Sequence, residues 1–302
     1  IVAIVGGMPV DEALGLAREA WGGWPARPGA VDGSVEEPEQ VVRRARTLRG
    51  DVTQSELILG WRTRPPLDPS HVPLDLAAAV LSAGRASRLQ QAVRETGLAA
   101  SIGAHHYAPT EVGVFAVSAT IEPERQDAVL RAVAAEVRAL AADGPSRAEL
   151  ARARTLVLAR WVRRMEAVEG RASALASAEA LAGMDWLNEE YERLQAATAD
   201  EVREAAATFL RPVGVSGVVY HPDGRGAALT CRESGARGGV GCARVDAPSG
   251  GSGEVGRAPC AAGRRGPPPP AEARRPARHP RRLPPAGPCG SGGPRRPRRA
   301  CG

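Results

Sequence analysis

The composition of the chain changes abruptly near Asp223. Residues 224–302 hold 16 of the 40 basic residues, 4 of the 34 acidic residues and all five cysteines, and 30 of these 79 positions are Gly or Pro. The segment contains no aromatic residue, so it has too little apolar surface to offset the entropic cost of ordering its backbone. We predict that residues 223–302 are a disordered tail.

The origin of this tail bears on its function. The residues that dominate it can all be encoded by G and C alone, and the whole chain lacks lysine. We therefore favour a frameshift product of a GC-rich gene over a basic arm that binds nucleic acid or acidic lipid. Residues 1–223 carry a net charge of −6, so the pI near 9.6 is no evidence for nucleic-acid binding by the folded part.

The front part excludes several classes of protein. Residues 1–223 contain no cysteine, which rules out a disulfide framework, a thiol nucleophile and a cysteine metal site there. No apolar run approaches the roughly 18 residues of a membrane-spanning helix. The sequence begins at Ile1 inside an apolar run, without a signal-peptide n-region. We interpret it as an internal fragment, which leaves its compartment open between bacterial cytoplasm and periplasm.

The first folded region and a linker are predicted within residues 1–50. The β-branched run Ile1–Val5 predicts a buried strand and precedes a helical segment, so residues 1–28 are interpreted as the end of a preceding domain. Residues 29–50 are rich in Gly, Pro and Arg and are interpreted as a linker.

Residues 51–222 have the pattern of a complete α+β domain. Ser146 and Glu149 form an S-x-x-E capping box at the start of a long helix. The order of elements predicts two layers, with helices packed on one face of a mostly antiparallel sheet. The predicted strands are 54–62, 98–107, 112–121 and 213–220, and the predicted helices are 71–81, 87–94, 124–142, 146–165, 168–182, 186–195 and 199–210.

Five motifs in this order carry a family resemblance. They are a glycine-containing loop followed by Ser-Arg-Leu (81–89), an Arg-Glu…Gly-Leu-Ala segment (93–99), the strand segment Glu-Val-Gly-Val-Phe (111–115), Gly-x-Ser-x-x-Glu-Leu (144–150) and a closing strand ending in Tyr-His-Pro (219–222). Together they resemble the second-type, non-zinc-binding domain of the M16 zinc peptidases, which include pitrilysin and the mitochondrial processing peptidase. The resemblance implies an M16-like α+β fold and a parent protein that hydrolyses peptide bonds in a chamber formed by two halves.

The resemblance also predicts where the metal lies. In this family a His-x-x-Glu-His motif and a distal Glu hold zinc in a separate domain, and the Glu of the motif is the general base. None of the five histidines, His71, His105, His106, His221 and His279, begins that motif. The resemblance therefore implies zinc in the parent protein with ligands outside this chain, no metal bound by this chain, and no peptidase activity of the chain alone.

His105 and His106 are neighbours on a predicted strand and point to opposite faces, so both cannot bind one ion. We interpret them as a strand-end pair, with one of them as a ligand of another site as the alternative.

Two arginines are the candidate substrate-binding residues. Arg94 matches the Arg of an Arg/Tyr pair with which some domains of this type contact a substrate carbonyl and the developing oxyanion. The Tyr position falls on Ala100, and a salt bridge of Arg94 with Glu95 or Glu111 is the alternative. Arg88 follows the glycine-containing loop, where its guanidinium could bind either loop carbonyls or substrate.

The predicted function follows from the resemblance. The chain is expected to be a fragment of an M16 zinc metalloendopeptidase that supplies the chamber wall and contacts the peptide substrate. Its predicted partner is the zinc-binding domain or half, in the same chain or in another subunit, without nucleic acid and without a membrane span. The alternatives are an inactive M16-like scaffold or partner subunit, as in respiratory complexes, which the missing Tyr favours, and a nucleic-acid-binding protein that acts through its tail.

Overall fold

A computed structural model describes residues 1–25 and 38–229. The predictions for linker residues 29–37 and for tail residues 230–302 lie outside the described residues.

The described part contains one five-stranded sheet. Its strands have the order β1-β5-β2-β4-β3. Strands β1 and β5 are parallel, and the other neighbours are antiparallel, which confirms the predicted mostly antiparallel sheet. The strands are β1 (Arg44–Gly50), β2 (Ser55–Thr63), β3 (Ser101–Tyr107), β4 (Gly113–Ile121) and β5 (Val215–Pro222).

Six of the seven helices predicted within residues 51–222 form with ends that differ by a few residues, and the seventh, 87–94, is largely replaced by a π-helical turn at Gln90–Arg94. In the capping box, Ser146 Oγ accepts the Glu149 N–H and the Glu149 carboxylate accepts the Ser146 N–H. Thr198 and Glu201 form a second one. The helices are α1 (Val10–Trp21), α2 (His71–Ser82), α3 (Gln126–Asp143), α4 (Arg147–Glu166), α5 (Val168–Leu181), α6 (Trp186–Ala196) and α7 (Ala199–Phe209).

The core lies between the helices and one face of the sheet. Alternate residues of β2, among them Leu57, Leu59 and Trp61, are buried, as expected for a strand with one face on the core. Helix α2 is buried along almost its whole length and contacts β3, α4, α6 and α7. Side chains on α2 are therefore held on a rigid element.

A buried polar network joins the sheet to α3. His221 Nε2 lies 3.0 Å from the Ala227 carbonyl oxygen, which only accepts, and 2.8 Å from Gln126 Oε1, so Nε2 carries the proton. The neutral Nδ1 then accepts from the Ser55 hydroxyl at 2.6 Å. Burial lowers the pKa of His221. Since the three side chains are almost fully buried and hydrogen-bonded, we interpret this network as structural.

The predicted strand at Ile1–Val5 is wrong. These residues have no regular structure, and Ile1 is 75% exposed. No strand among the described residues lies beside them, and an unpaired strand leaves its backbone hydrogen bonds unmade.

Residues 44–50, which the sequence analysis assigned to the linker, form strand β1 at the edge of the sheet. Its outward positions carry the charges of an arginine-rich edge strand, and this pattern lacks the apolar alternation that marks a central strand. The boundary at residue 50 was therefore set too late.

Residues 223–229, assigned to the tail, belong to the folded unit. The Leu229 side chain is buried in the core, and its N–H donates to Thr47 Oγ1 at 2.7 Å. Arg225 forms an ion pair with Glu124 at 3.0 Å. Among the described residues no helix is both long enough and apolar enough to cross a membrane.

Candidate functional site

A pocket of about 300 Å³ opens between α2, β3, α4 and α6. Most of its charged and aromatic groups come from different elements, so only the fold brings them together. The polar and aromatic lining residues are Asp75, Ser82, His105, His106, Arg160, Trp161, Arg164, Glu190 and Tyr191.

Helix α2 places two of the site residues one turn apart. The turn before α2 is fixed by the Asp68 carboxylate, which accepts hydrogen bonds from the N–H and the hydroxyl of Ser70. The helix begins at His71, so His71 and Asp75 share one face, with His71 Nε2 3.6 Å from Asp75 Oδ2. Glu190 of α6 approaches from the other side, with Oε1 3.8 Å from His71 Nε2.

The side chain of His106 is fully buried behind this face. Its Nδ1 lies 2.8 Å from Asp75 Oδ1 and its Nε2 lies 3.0 Å from Thr63 Oγ1. A carboxylate only accepts hydrogen bonds, so Nδ1 carries the proton and Nε2 accepts from the threonine hydroxyl. His106 therefore fixes the orientation of the Asp75 carboxylate.

Neighbouring residues of a strand point to opposite faces, and the two histidines differ in burial accordingly. The His106 side chain is buried, whereas His105 is exposed. Both histidines lie in the last three residues of β3, and His106 has Thr63 and Asp75 as partners inside the protein.

Among the residues that the structure describes, His71 has no hydrogen-bond partner for either ring nitrogen. Its Nδ1 is buried without a partner, and the two carboxylate oxygens near Nε2 lie beyond hydrogen-bond distance. Ligand atoms of His71, Asp75 and His106 lie within 4.8 Å of one another, a spacing that could hold a metal ion.

Burial sets the protonation of this site. It lowers the pKa of His71, against the opposing charge of Asp75, so the ring is neutral at pH 7. Burial and the charge of Asp75 raise the pKa of Glu190, against the charge of Arg164.

Arg88 does not line the pocket, and its donors are engaged by groups at the start of α4. Its guanidinium donates to both oxygens of Glu149, at 2.7 and 3.0 Å, and to the Gly144 carbonyl at 2.9 Å. This pairing lowers the pKa of Glu149 to about 2. The partners of Arg88 are therefore not the predicted carbonyls of the preceding loop but the Gly144 carbonyl and the Glu149 carboxylate, which lie at the start of α4.

Arg94 ends a short π-helical turn, Gln90–Arg94, where a regular helix was predicted. It is exposed, and among the described residues it has neither a hydrogen bond nor an ion pair. Glu95, its expected partner, lies 3.6 Å from Arg85 instead. Ala100 is also exposed, and neither Arg94 nor Ala100 lines the pocket.

The sequence analysis missed His71, Asp75 and Glu190 as a group. The four-residue spacing of His71 and Asp75 on a predicted helix was a visible signal. Glu190 lies on another helix far along the chain, and no local pattern connects it to them.

The described residues form a mixed α/β domain with a five-stranded sheet, and the sequence contains no His-x-x-Glu-His motif. A family model described as the peptidase M16 inactive domain matches residues 1–157. The chain belongs to this family, as the sequence resemblance predicted.

Solved structures agree with this assignment. The chain is similar to the inactive peptidase domain of a candidate zinc protease from Bordetella parapertussis, with 26% identity and a TM-score of 0.53 over 57% of this chain and 95% of that chain. A protease from Helicobacter pylori matches with 18% identity and a TM-score of 0.66, over 72% of this chain and 54% of that chain. A peptidase M16 inactive domain from Pseudomonas fluorescens matches with 18% identity and a TM-score of 0.63, over 72% and 53%.

The two matches at 18% identity show the fold alone. The chain spans about half the length of the Helicobacter pylori protease. No curated protein matches the sequence.

Proposed function

We propose that this chain forms the non-catalytic part of the reaction chamber of an M16 zinc endopeptidase. It pairs with a zinc-binding M16 half, in the same polypeptide or in a second subunit, and contacts the peptide substrate. The observation that carries the proposal is the inactive-domain match over residues 1–157 in a chain whose sequence lacks His-x-x-Glu-His.

The residues present do not fit the zinc motif of the family. On α2, His71 is followed three and four residues later by Leu74 and Asp75, so a leucine stands at the position of the motif's Glu and an aspartate at that of its second His. No group on this helix is placed as the general base of that motif. The catalytic zinc of the parent protein is therefore proposed to be held by residues outside this chain.

Arg94 is the proposed substrate contact. Its guanidinium is exposed and has no partner among the described residues, so its five N–H donors can bind peptide carbonyl oxygens. Arg88 is the weaker candidate, because Glu149 and Gly144 already take up its donors.

A scaffold or partner subunit without a role in catalysis is the second candidate function. Ala100 favours it, since a methyl group cannot donate the hydrogen bond of the family's Tyr. The two candidates differ in what the substitution of Arg94 does to peptide cleavage.

The test is reconstitution with a zinc-binding M16 half from the same genome. We expect the complex to cleave peptides, and Arg94→Ala to lower kcat/KM severalfold because one charged donor is lost from the substrate site. Arg131→Ala, which removes another exposed arginine on α3, is the matched control and should leave kcat/KM unchanged. Equal kcat/KM for Arg94→Ala and the unsubstituted chain would favour the scaffold.

A further inference from the structure

We propose that the pocket between α2, β3, α4 and α6 binds one free α-amino acid with an apolar side chain. Acidic groups of α2 and α6 bind its ammonium group, arginines of α4 bind its carboxylate, and the apolar wall of the pocket receives its side chain. The inference goes beyond the proposed function, because binding in this pocket requires neither a second half nor peptide cleavage.

The charged side chains that line the pocket are not paired across it. Arg160 and Arg164 lie one turn apart on α4, and both line the pocket together with Asp75 and Glu190. Among the described residues, neither arginine has a hydrogen bond or an ion pair. Positive and negative groups therefore share one cavity without neutralising each other, and a ligand that carries both charges satisfies both.

The carboxylate of Glu190 has the greatest need of a partner. Its side chain is only 19% exposed, and His71 Nε2 lies 3.8 Å from its Oε1, beyond hydrogen-bond distance. Burial raises the pKa of Glu190, and the charge of Asp75 adds to the effect. An ammonium group beside Glu190 donates the missing hydrogen bond and stabilises the ionised carboxylate.

Asp75 adds a second negative charge at this end of the pocket. His106 donates from Nδ1 to Asp75 Oδ1 at 2.8 Å, and Thr63 holds the other ring nitrogen of His106. These contacts fix the orientation of the Asp75 carboxylate and leave Oδ2 for another donor. His71, which lies near both carboxylates, has a pKa lowered by burial, so it supplies no positive charge at pH 7. The end of the pocket formed by α2 and α6 thus attracts a cation.

The rest of the lining sets the size and character of the ligand. Val72, Val157 and Leu194 contribute aliphatic surface, and Trp161 and Tyr191 contribute aromatic rings whose centroids lie 5.0 Å apart. A pocket of about 300 Å³ is at the lower end of the range for small-molecule sites. This size favours a single amino acid, such as leucine, methionine or phenylalanine, over a nucleotide or a peptide of several residues.

The test is calorimetric titration of the full chain with L-leucine and with L-phenylalanine. We expect one equivalent to bind with a dissociation constant below about 1 mM. Three analogues of leucine each lack one recognised group: N-acetyl-leucine lacks the ammonium group, leucinamide lacks the carboxylate, and glycine lacks the side chain. Each should bind at least about tenfold more weakly, because a charge-assisted hydrogen bond or the apolar contact is lost.

Substitutions test whether the ligand lies in this pocket. Glu190→Gln and Arg164→Gln should each weaken leucine binding at least about tenfold, since each removes a charge that faces the ligand. The matched controls are Glu189→Gln and Arg163→Gln, which change exposed neighbours outside the pocket lining. Both controls should bind leucine as the unsubstituted chain does.

Circular dichroism checks that each variant is folded, and the analogue series decides the question if a variant unfolds. Absence of leucine and phenylalanine binding up to about 1 mM ligand would overturn the proposal. Equal affinity for leucine and N-acetyl-leucine, or equal affinity of Glu190→Gln and Glu189→Gln for leucine, would also overturn it. Leucine binding without peptide cleavage would support the proposal and leave the proposed function intact.

Discussion

The ion pair between Arg88 and Glu149 makes a quantitative prediction about stability. Arg88 lies two residues before the π-helical turn and donates two hydrogen bonds to Glu149 and one to the Gly144 carbonyl. The side chains of the pair are only 16% and 19% exposed. Arg88→Met keeps most of the side-chain volume but leaves the Glu149 carboxylate and the Gly144 carbonyl without this donor. The variant should therefore be destabilised.

The shifted pKa of Glu149 gives the magnitude. A fall from 4.5 to about 2 corresponds to about 3 kcal/mol, since one pKa unit is worth about 1.4 kcal/mol. Part of it belongs to the capping hydrogen bonds with Ser146, which the variant retains. We therefore expect Arg88→Met to lower the free energy of unfolding at pH 7 by about 2 kcal/mol.

The pH dependence follows from the sign of the shift. Because the pKa of Glu149 is lower in the folded state, its contribution is fully present above the unfolded pKa of 4.5 and is lost as the pH falls toward about 2. Arg88→Met brings the folded pKa back toward its ordinary value. The difference between the unsubstituted chain and the variant should therefore be largest at neutral pH and shrink below about pH 5.

Urea unfolding followed by tryptophan fluorescence at several pH values measures this difference. Arg85→Met is the control, because Arg85 and Glu95 form an exposed pair at 3.6 Å and such pairs contribute little. Equal destabilisation by the two variants, or a difference for Arg88→Met that stays constant from pH 7 to pH 3, would refute the reasoning.

Two further predictions concern the core. Phe115→Ala should lower the free energy of unfolding by about 3–5 kcal/mol, because this fully buried ring packs edge-on against Trp61 with the ring centroids 6.3 Å apart. Urea unfolding measures the loss. Val114→Ala, on the half-exposed face of β4, is the control and should lower the free energy of unfolding by less than about 1 kcal/mol. Leu229→Ala should lower the melting temperature in a thermal scan through a loss of about 2–4 kcal/mol, because Leu229 fills the core beside Gly217. An unchanged melting temperature would place the end of the folded unit before residue 229, as the composition alone indicated.

Local signals in the sequence identified most of the helices and central strands. The capping boxes at Ser146 and Thr198 depend on residues three positions apart, so they are readable without any tertiary information. Strand β2 shows the alternation of a half-buried strand because its neighbours on both sides leave one face on the core. These elements fold according to nearby residues, and nearby residues were enough to predict them.

The errors arise where distant residues decide the structure. Strand β1 is an arginine-rich edge strand, and only pairing with β5 near the other end of the domain makes it a strand. The apolar run Ile1–Val5 has strand propensity but no partner among the described residues. Leu229 lies in a segment of tail-like composition, yet the core beside β5 accepts it.

The cluster of side chains around His71 was predictable only in part, for the same reason. His71 and Asp75 share a helix face, but His106 comes from β3 and Glu190 from α6, and the interest of the cluster lies in the unmet hydrogen bonds of His71. Such a deficit exists only in the packed structure. Arg94, by contrast, was reached through a motif, and the structure adds that its guanidinium is exposed.

The most direct test of the account is a peptidase assay of the purified chain alone, with stoichiometric Zn²⁺ added, beside the same chain joined to a zinc-binding M16 half. We predict no turnover by the chain alone, because no residue on α2 occupies the position of the general base, and turnover only in the complex. Peptide cleavage by the chain alone, abolished by His71→Ala, would contradict the assignment of this domain as non-catalytic.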